Sequence, residues 1–394
     1  MTEPTTHYDF LVVGAGLSGA TLAHKLAEKG HKILIIDKRN HIGGNCYDYI
    51  DSETGIRVSE YGPHFFHTND EEVWNYVNTF GEWIRYDHKV LALIDGLHVP
   101  VPVNAETINN LCHQNLKTPE EVATWLKTVQ IQPPGNTDPI NSEEIALQRV
   151  GSRLYEALFR PYTLKQWAKE PSKLDALVLA RIPVRDDNDC RYFTDRFQGL
   201  PLNGYTQIFK KMLGHPNITV VLNMDYESVA TFAKYHQVIF TGRIDSYFSD
   251  AGLPQLEYRS LNFEKRFVPT LGYAQRGPVV NYPSSDIPYT RSVEYKWFPN
   301  CPAAGQEASN TIVVYETSCD YNDKTNNNNN NNNQEPYYPV PSPINQALYE
   351  RYKSLASAQK NVHFIGRLAS YKYFNMDQAI RAALDYFEEH FLSI

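Results

Sequence analysis

The hydrophobic positions follow two regimes. Near the start they come in short unbroken runs: FLVV within residues 8–13 (YDFLVV) and ILII within residues 31–37 (HKILIID) have no polar alternation, the pattern of strands covered on both faces. Between them GAGLSG predicts a tight turn, and residues 18–29 predict a helix ending at Gly30. Strand, turn, helix and strand make the first half of a βαβ unit.

From Thr118 the pattern turns helical. Leu147, Val150, Leu154, Ala157 and Leu158 recur at helical spacing between Glu143 and Phe159, and Pro161 is expected to end that helix. IQPPGNTDPINS before it reads as a turn-rich surface connection. Between about 181 and 300 the runs shorten to CRYFTDRF, ITVVL, HQVIFTG and LEYRSLNF, read mostly as strands with one helix near 205–213. The eight asparagines at 326–333 cannot bury a core and read as a flexible loop between strands TIVVYET and EPYYPVP. NVHFIG then reads as a strand and MDQAIRAALDYFEEHFL as a closing helix, and no internal repeat is evident.

Composition narrows the function. The 394 residues suffice for a large core or two to three domains. A net charge of −8 argues against nucleic acid as the main partner, so any anionic ligand must be held by local cations. Cys46, Cys112, Cys190, Cys301 and Cys319 are scattered without a C-x-x-C pair, which suggests reduced thiols rather than a disulfide framework or a metal site. No run is long enough to span a bilayer and no secretory leader is evident, so a cytoplasmic setting is expected. The 27 tyrosines suit flat polar rings such as sugars and nucleobases, although most tyrosines serve cores and rims.

Gly14, Gly16 and Gly19 follow a strand and open a helix, the setting that G-x-G-x-x-G requires. The first glycine permits the turn, the second lets a pyrophosphate approach the backbone, and the third packs helix on strand. Asp37, at the end of the second strand, stands where an acid accepts from a ribose hydroxyl. RNHIGGN at 39–45 favours FAD over NAD because a second glycine pair lets the chain pass the dinucleotide closely, while Gly43-Gly44 could equally be only a turn and Asn45 its hydrogen bond.

Taken together, VVGAGLSGA, IDKRNHIGGNCYD, YGPHFFHT, RPYTLKQW, RIPVR, RYFTDRFQGLPLNGYTQI, YRSLNF, PYTR, PYYP and FIGRLASYKYFNMD resemble, in order, the bacterial UDP-galactopyranose mutase family. The resemblance runs from about Tyr8 to the last helix. It implies an α/β fold: a discontinuous Rossmann-like FAD-binding domain (1–86, 204–250 and 342–394), an inserted helical domain with a mobile substrate loop (104–180) and an antiparallel β-sheet domain (87–103, 181–203 and 251–341). It implies interconversion of UDP-galactopyranose and UDP-galactofuranose through a covalent adduct between N5 of reduced FAD and the sugar C1, without net redox change. A flavin reductant such as NAD(P)H and a homodimer follow from the same resemblance.

The family motifs place Gly14, Gly16, Leu17, Ser18, Gly19, Asp37, Lys38, Gly44, Asn45, His64, Gly366, Arg367 and Met376 at the cofactor. Tyr162 would stack on uracil beside Phe159, and Trp167 would lie near the sugar. Arg181 and Arg291 would hold the diphosphate, with Arg259 a secondary candidate. Tyr192, Tyr338 and Tyr373 would hydrogen-bond phosphate oxygens, Asn281 and Asn375 would contact substrate, and His67 would sit close to the flavin. Lys165 and Arg160 read as surface charges.

Two positions depart from the family: Asn375 stands where an aspartate is usual, and His88 where an asparagine is usual. Activity is expected to persist because the groups for flavin and diphosphate are intact. Two alternatives share the early glycine motif, a flavin oxidoreductase of the amine-oxidase type and a catalytically inactive UDP-sugar-binding relative.

Overall fold

The computed structural model describes residues 6–229, 232–321 and 335–392, so the asparagine run lies outside the described residues. The unbroken apolar runs become a five-stranded parallel sheet, ordered Ile218–Leu222, Ile33–Asp37, Thr6–Val13, Ala233–Phe240, Val362–Phe364. Alternate side chains serve opposite faces. Phe10, Val12, Ile33, Ile35 and Ile239 join one core, and Leu11, Leu34, Ile36, Val238 and Phe240 join another. The first helix, Leu17–Glu28, packs on the closing helix, Met376–His390. Because the neighbours of Thr6–Val13 lead away on opposite sides, a crevice opens at the carboxyl ends of the strands.

A second sheet has seven strands, ordered Tyr338–Pro339, Tyr258–Pro269, Asn310–Asp320, Arg291–Glu294, Val279–Asn281, Val90–Ile94, Leu97–Val101. It is antiparallel except between Val279–Asn281 and Val90–Ile94, which run parallel. The helices between residues 105 and 180 bury their own cluster, including Ile108, Val122, Leu126, Val150 and Leu154. Among the described residues no helix is long and apolar enough to cross a membrane.

Three expectations are corrected. Pro161 does not end its helix: a π-turn, Tyr155–Phe159, widens the rod, and the helix resumes as Arg160–Trp167 with the proline in its first turn. The proline lacks the N–H that would continue the ladder, and the widened turn directly before it is where the helix accommodates that loss. CRYFTDRF becomes strand only from Phe197, because the carbonyls of Phe193 and Asp195 accept from the Arg185 and Gln198 side chains instead of a ladder partner. EPYYPVP forms only the two-residue strand Tyr338–Pro339. The helix Pro343–Ser357 has no counterpart in the sequence reading: it buries only Asn345 and Tyr352, so its apolar stripe is too thin to show.

Candidate active site

Two cavities meet in the middle of the molecule. The longer, about 1140 Å³, runs along the carboxyl ends of the parallel strands; the second, about 520 Å³, lies between the seven-stranded sheet and the helices. Their walls share Pro63, His64, Arg291, Tyr338, Tyr373, Phe374, Asn375 and Met376, so a ligand in one touches the residues that contact a ligand in the other.

Backbone geometry builds the longer cleft. Gly14 has φ +104°, and a Cβ there would meet Thr241 Oγ1 at 2.2 Å. A Cβ on Gly19 would fall 2.0 Å from the Gly14 carbonyl oxygen, so only glycine lets the helix sit this close to the turn. A Cβ on Gly44 would lie 3.0 Å from Gly16 Cα, which presses the two glycine loops together at the crevice. The Asp37 carboxylate accepts from the N–H groups of Ala15 and Arg39, both at 2.9 Å, and so joins the two strand ends. Gly14, Gly16, Leu17, Ser18, Asp37, Lys38, Gly44, Asn45, His64, Gly366, Arg367 and Met376 all line this cleft, while Gly19 stands behind it as packing. Bare backbone at a helix start, with an acid one strand away, fits a dinucleotide.

Several residues here were not anticipated. Arg39 bonds Asn45 Oδ1 at 3.0 Å, lies 4.2 Å from the centre of the Tyr61 ring and pairs with Glu335, which also pairs with Lys38. Tyr337 bonds the Tyr61 carbonyl, and Arg367 bonds that of Tyr337. Segment 335–338 thereby lies across the cleft. Thr241 and Arg243 line it as well, and the end of the strand HQVIF just before TGR was the signal that could have marked them.

Side chains build the smaller cavity. Arg291, on Arg291–Glu294, pairs with Glu316 on the neighbouring strand at 2.7 Å, and Asn281 lies in register with it. Burial works against the Arg291 charge, but Glu316 and nearby tyrosine hydroxyls hold the guanidinium well above its ordinary value. Glu316 Oε1 is buried without a partner among the described residues, so the acid and the cation are not mutually saturated. An acid inside the apolar strand TIVVYET was a visible but unused signal.

Arg181 enters from the end of the short helix Leu177–Ala180, donates to the Tyr373 hydroxyl at 2.8 Å and lies over that ring. Trp167 is buried, with Tyr338 and Tyr373 each 5.9 Å away between ring centres. Phe159, Tyr162, Tyr192 and Asn375 complete the wall, and Asn375 caps the closing helix, its N–H donating to Gln378 Oε1 at 2.9 Å.

Three histidines, His64, His67 and His88, line the smaller cavity, and of these His64 also lines the longer cleft. His67 Nδ1 lies 2.8 Å from Asp195 and its ring stacks on Phe193. His64 Nδ1 faces the Gly62 carbonyl at 3.0 Å, and burial lowers its pKa to about 4, so it is neutral near pH 7. His88 is buried and stacked on Phe65; burial, then the nearby Arg291, hold its pKa well below the usual histidine value.

Two arginines and a lysine have other work. Arg259 lines neither cavity: its guanidinium is spent on the Gln166 carbonyl, Ser318 and Asp320, which removes it as a diphosphate ligand. Arg160 pairs with Glu156 and Glu170. Lys165 is not a free surface charge, because its ammonium donates to the carbonyls of Tyr282, Ser284 and Tyr289.

A family model for UDP-galactopyranose mutase matches residues 157–373, and one for an NAD(P)-binding Rossmann-like domain matches residues 12–80. The chain belongs to the UDP-galactopyranose mutase family. It is 39% identical over 386 residues to a probable UDP-galactopyranose mutase of Klebsiella pneumoniae, covering 98% of this chain and 95% of that one. It is also 40% identical over 380 residues to a dTDP-fucopyranose mutase of Escherichia coli, covering 95% and 96%. The crystal structure of a reduced UDP-galactopyranose mutase superposes with a TM-score of 0.71 at 17% identity, covering 97% of this chain and 96% of that one, which shows the shared fold. As a member of this family the chain is an isomerase of the mutase type.

Proposed function

We propose that the chain interconverts the pyranose and furanose forms of a nucleotide-diphosphate hexose, UDP-galactose first, with FAD in the longer cleft and the nucleotide sugar in the smaller cavity. The observation that carries this reading is the junction: a backbone-lined dinucleotide cleft opens onto a pocket holding Arg181, Arg291 and a cluster of tyrosines. When bound in its reduced state, FAD supplies a nucleophile, N5, for the anomeric carbon, and the exchange leaves its redox state unchanged.

The chain's own residues position and stabilise. Tyr162 and Phe159 offer faces for the base, and Trp167 packs at the sugar. The diphosphate gathers charge as it leaves, so Arg181 and Arg291 act most strongly at that moment, aided by the hydroxyls of Tyr192, Tyr338 and Tyr373. Arg181 sits on a segment suited to close over the ligand and exclude water. A homodimer, a cytoplasmic setting and reduction by NAD(P)H belong to the same proposal. So do the division into a discontinuous cofactor domain, a helical insert and a sheet domain, and the persistence of activity with Asn375.

The dTDP-fucopyranose mutase relative supports a second reading, a 6-deoxyhexose on a thymidine diphosphate, because its identity matches that of the UDP-galactopyranose relative. Anaerobic incubation with each furanose substrate, with and without dithionite, tests both. Pyranose product only in the reduced sample, with no reductant consumed per turnover, is the expected result. The faster substrate names the sugar. Substrate-driven flavin reduction would point to an oxidoreductase, and no product in any arm would leave a binding protein.

A further inference from the structure

The loop 190–196 is irregular, yet one of its side chains is held firmly. Asp195 Oδ2 lies 2.8 Å from His67 Nδ1, and its other oxygen accepts from the Asn69 amide, also at 2.8 Å. Asn69 in turn accepts from the Arg196 N–H at 2.8 Å, and the Asp195 carbonyl accepts from Gln198 at 2.7 Å. The His67 ring is clamped against Phe193 at 3.7 Å and 13°, and its strand, Phe66–Thr68, pairs with Phe197–Pro201. The ring and the carboxylate therefore have little freedom to rotate.

The consequence is chemical. An ionised carboxylate only accepts, so the Nδ1 facing it carries the proton. His67 Nε2 has no partner among the described residues, and the side chain, 13% exposed, lines the smaller cavity together with Asp195. We infer that Asp195 is a positioning residue that acts through His67, fixing the tautomer and ring orientation so that Nε2 is the atom presented to bound ligand. On the reading proposed above, on which this rests, Nε2 accepts or returns a proton as the sugar ring opens and closes. A base oriented by a carboxylate on its other nitrogen loses rate when the tautomer is free to change.

A merely structural ion pair, tying the loop to the strand, would set the same tautomer and move stability but would leave kcat unchanged. Holoprotein labelled with ¹⁵N-histidine, with His67→Gln used for assignment, is examined as wild type, Asp195→Asn and Asp195→Glu. The wild-type His67 signals are expected to show a protonated Nδ1. In Asp195→Asn the Nε2–H tautomer gains population, kcat falls on the order of 100-fold, and KM stays within about threefold because the isosteric amide keeps the shape of the cavity wall. Asp195→Glu restores part of both effects. Asn69→Ala, which removes the bonds to Asp195 and from the Arg196 N–H but leaves the His67–Asp195 contact in place, gives a smaller change in the same direction and serves if Asp195→Asn does not fold. An unchanged tautomer in both Asp195→Asn and Asn69→Ala, or kcat within about twofold of wild type, overturns the inference. The tautomer readout needs no turnover, so it tests whether Asp195 orients His67 even if no nucleotide sugar is isomerised.

Discussion

The two cavities are built on opposite plans. The longer cleft is backbone where its two glycine loops meet, with bare glycines at Gly14, Gly16 and Gly44, one acid bridging two strand ends and a helix start. The smaller cavity is walled by side chains, with Arg181, Arg291 and the tyrosines arriving from distant segments of the chain. A site made of backbone depends on the absence of atoms, and one made of side chains depends on the presence of charge. The first should fail when a methyl group is added, and the second when a guanidinium is removed.

The largest effect is expected from Arg291→Ala. Loss of fixed charge at the leaving diphosphate should lower kcat/KM on the order of 1000-fold, and Glu316 is left buried and unpaired, so steady-state kinetics and thermal unfolding should both report it. Flavin content unchanged in that variant would sharpen the division of labour; parallel loss of flavin would blur it. Gly19→Ala is expected to do the reverse. Its Cβ falls 2.0 Å from the Gly14 oxygen, so the helix must shift at about 2–3 kcal/mol, read as lower flavin occupancy and a lower Tm, while UDP binding to the apoprotein persists.

A third effect comes from pH. Burial holds folded His64 at about 4 against 6.5 for the free side chain, so between those values the unfolded chain binds the extra proton. The stability is fully present above about pH 6.5 and drains away as pH falls toward 4, on the order of 2–3 kcal/mol. Melting curves at pH 7 and 5 should converge for His64→Gln relative to wild type. The smallest effect belongs to Lys38→Gln: its side chain is 55% exposed in the pair with Glu335, and thermal stability should change by under about 0.5 kcal/mol. A large loss there would mean that the cleft leans on side chains after all.

The same contrast explains what could be read from the chain. Glycines 14, 16 and 19 and Asp37 lie within one short stretch with a recognisable spacing, so that end of the cleft was legible from residues alone, while His64, Gly366, Arg367 and Met376 came through the family resemblance. The smaller cavity has no such local signature. Tyr162, Arg181, Arg291 and Tyr373 were found through the family resemblance, and Arg259, offered on the same ground, is bonded elsewhere. Glu316, Glu335 and Asp195 were passed over because a carboxylate's role depends on which cation or ring the fold brings to it. Pro161 misled the reading because a single widened turn upstream is invisible to a 3.6-residue period.

Lys165 ties these threads. Its ammonium grips three carbonyls of the loop that leads into Arg291, and it stands on the same short helix as Tyr162 and Trp167. The aromatic helix and the loop into Arg291 are thus bolted to one joint, like the jaws of a caliper set to a fixed opening. On the reading proposed above, a nucleotide sugar is measured by the span between its base and its phosphates before any single contact is judged.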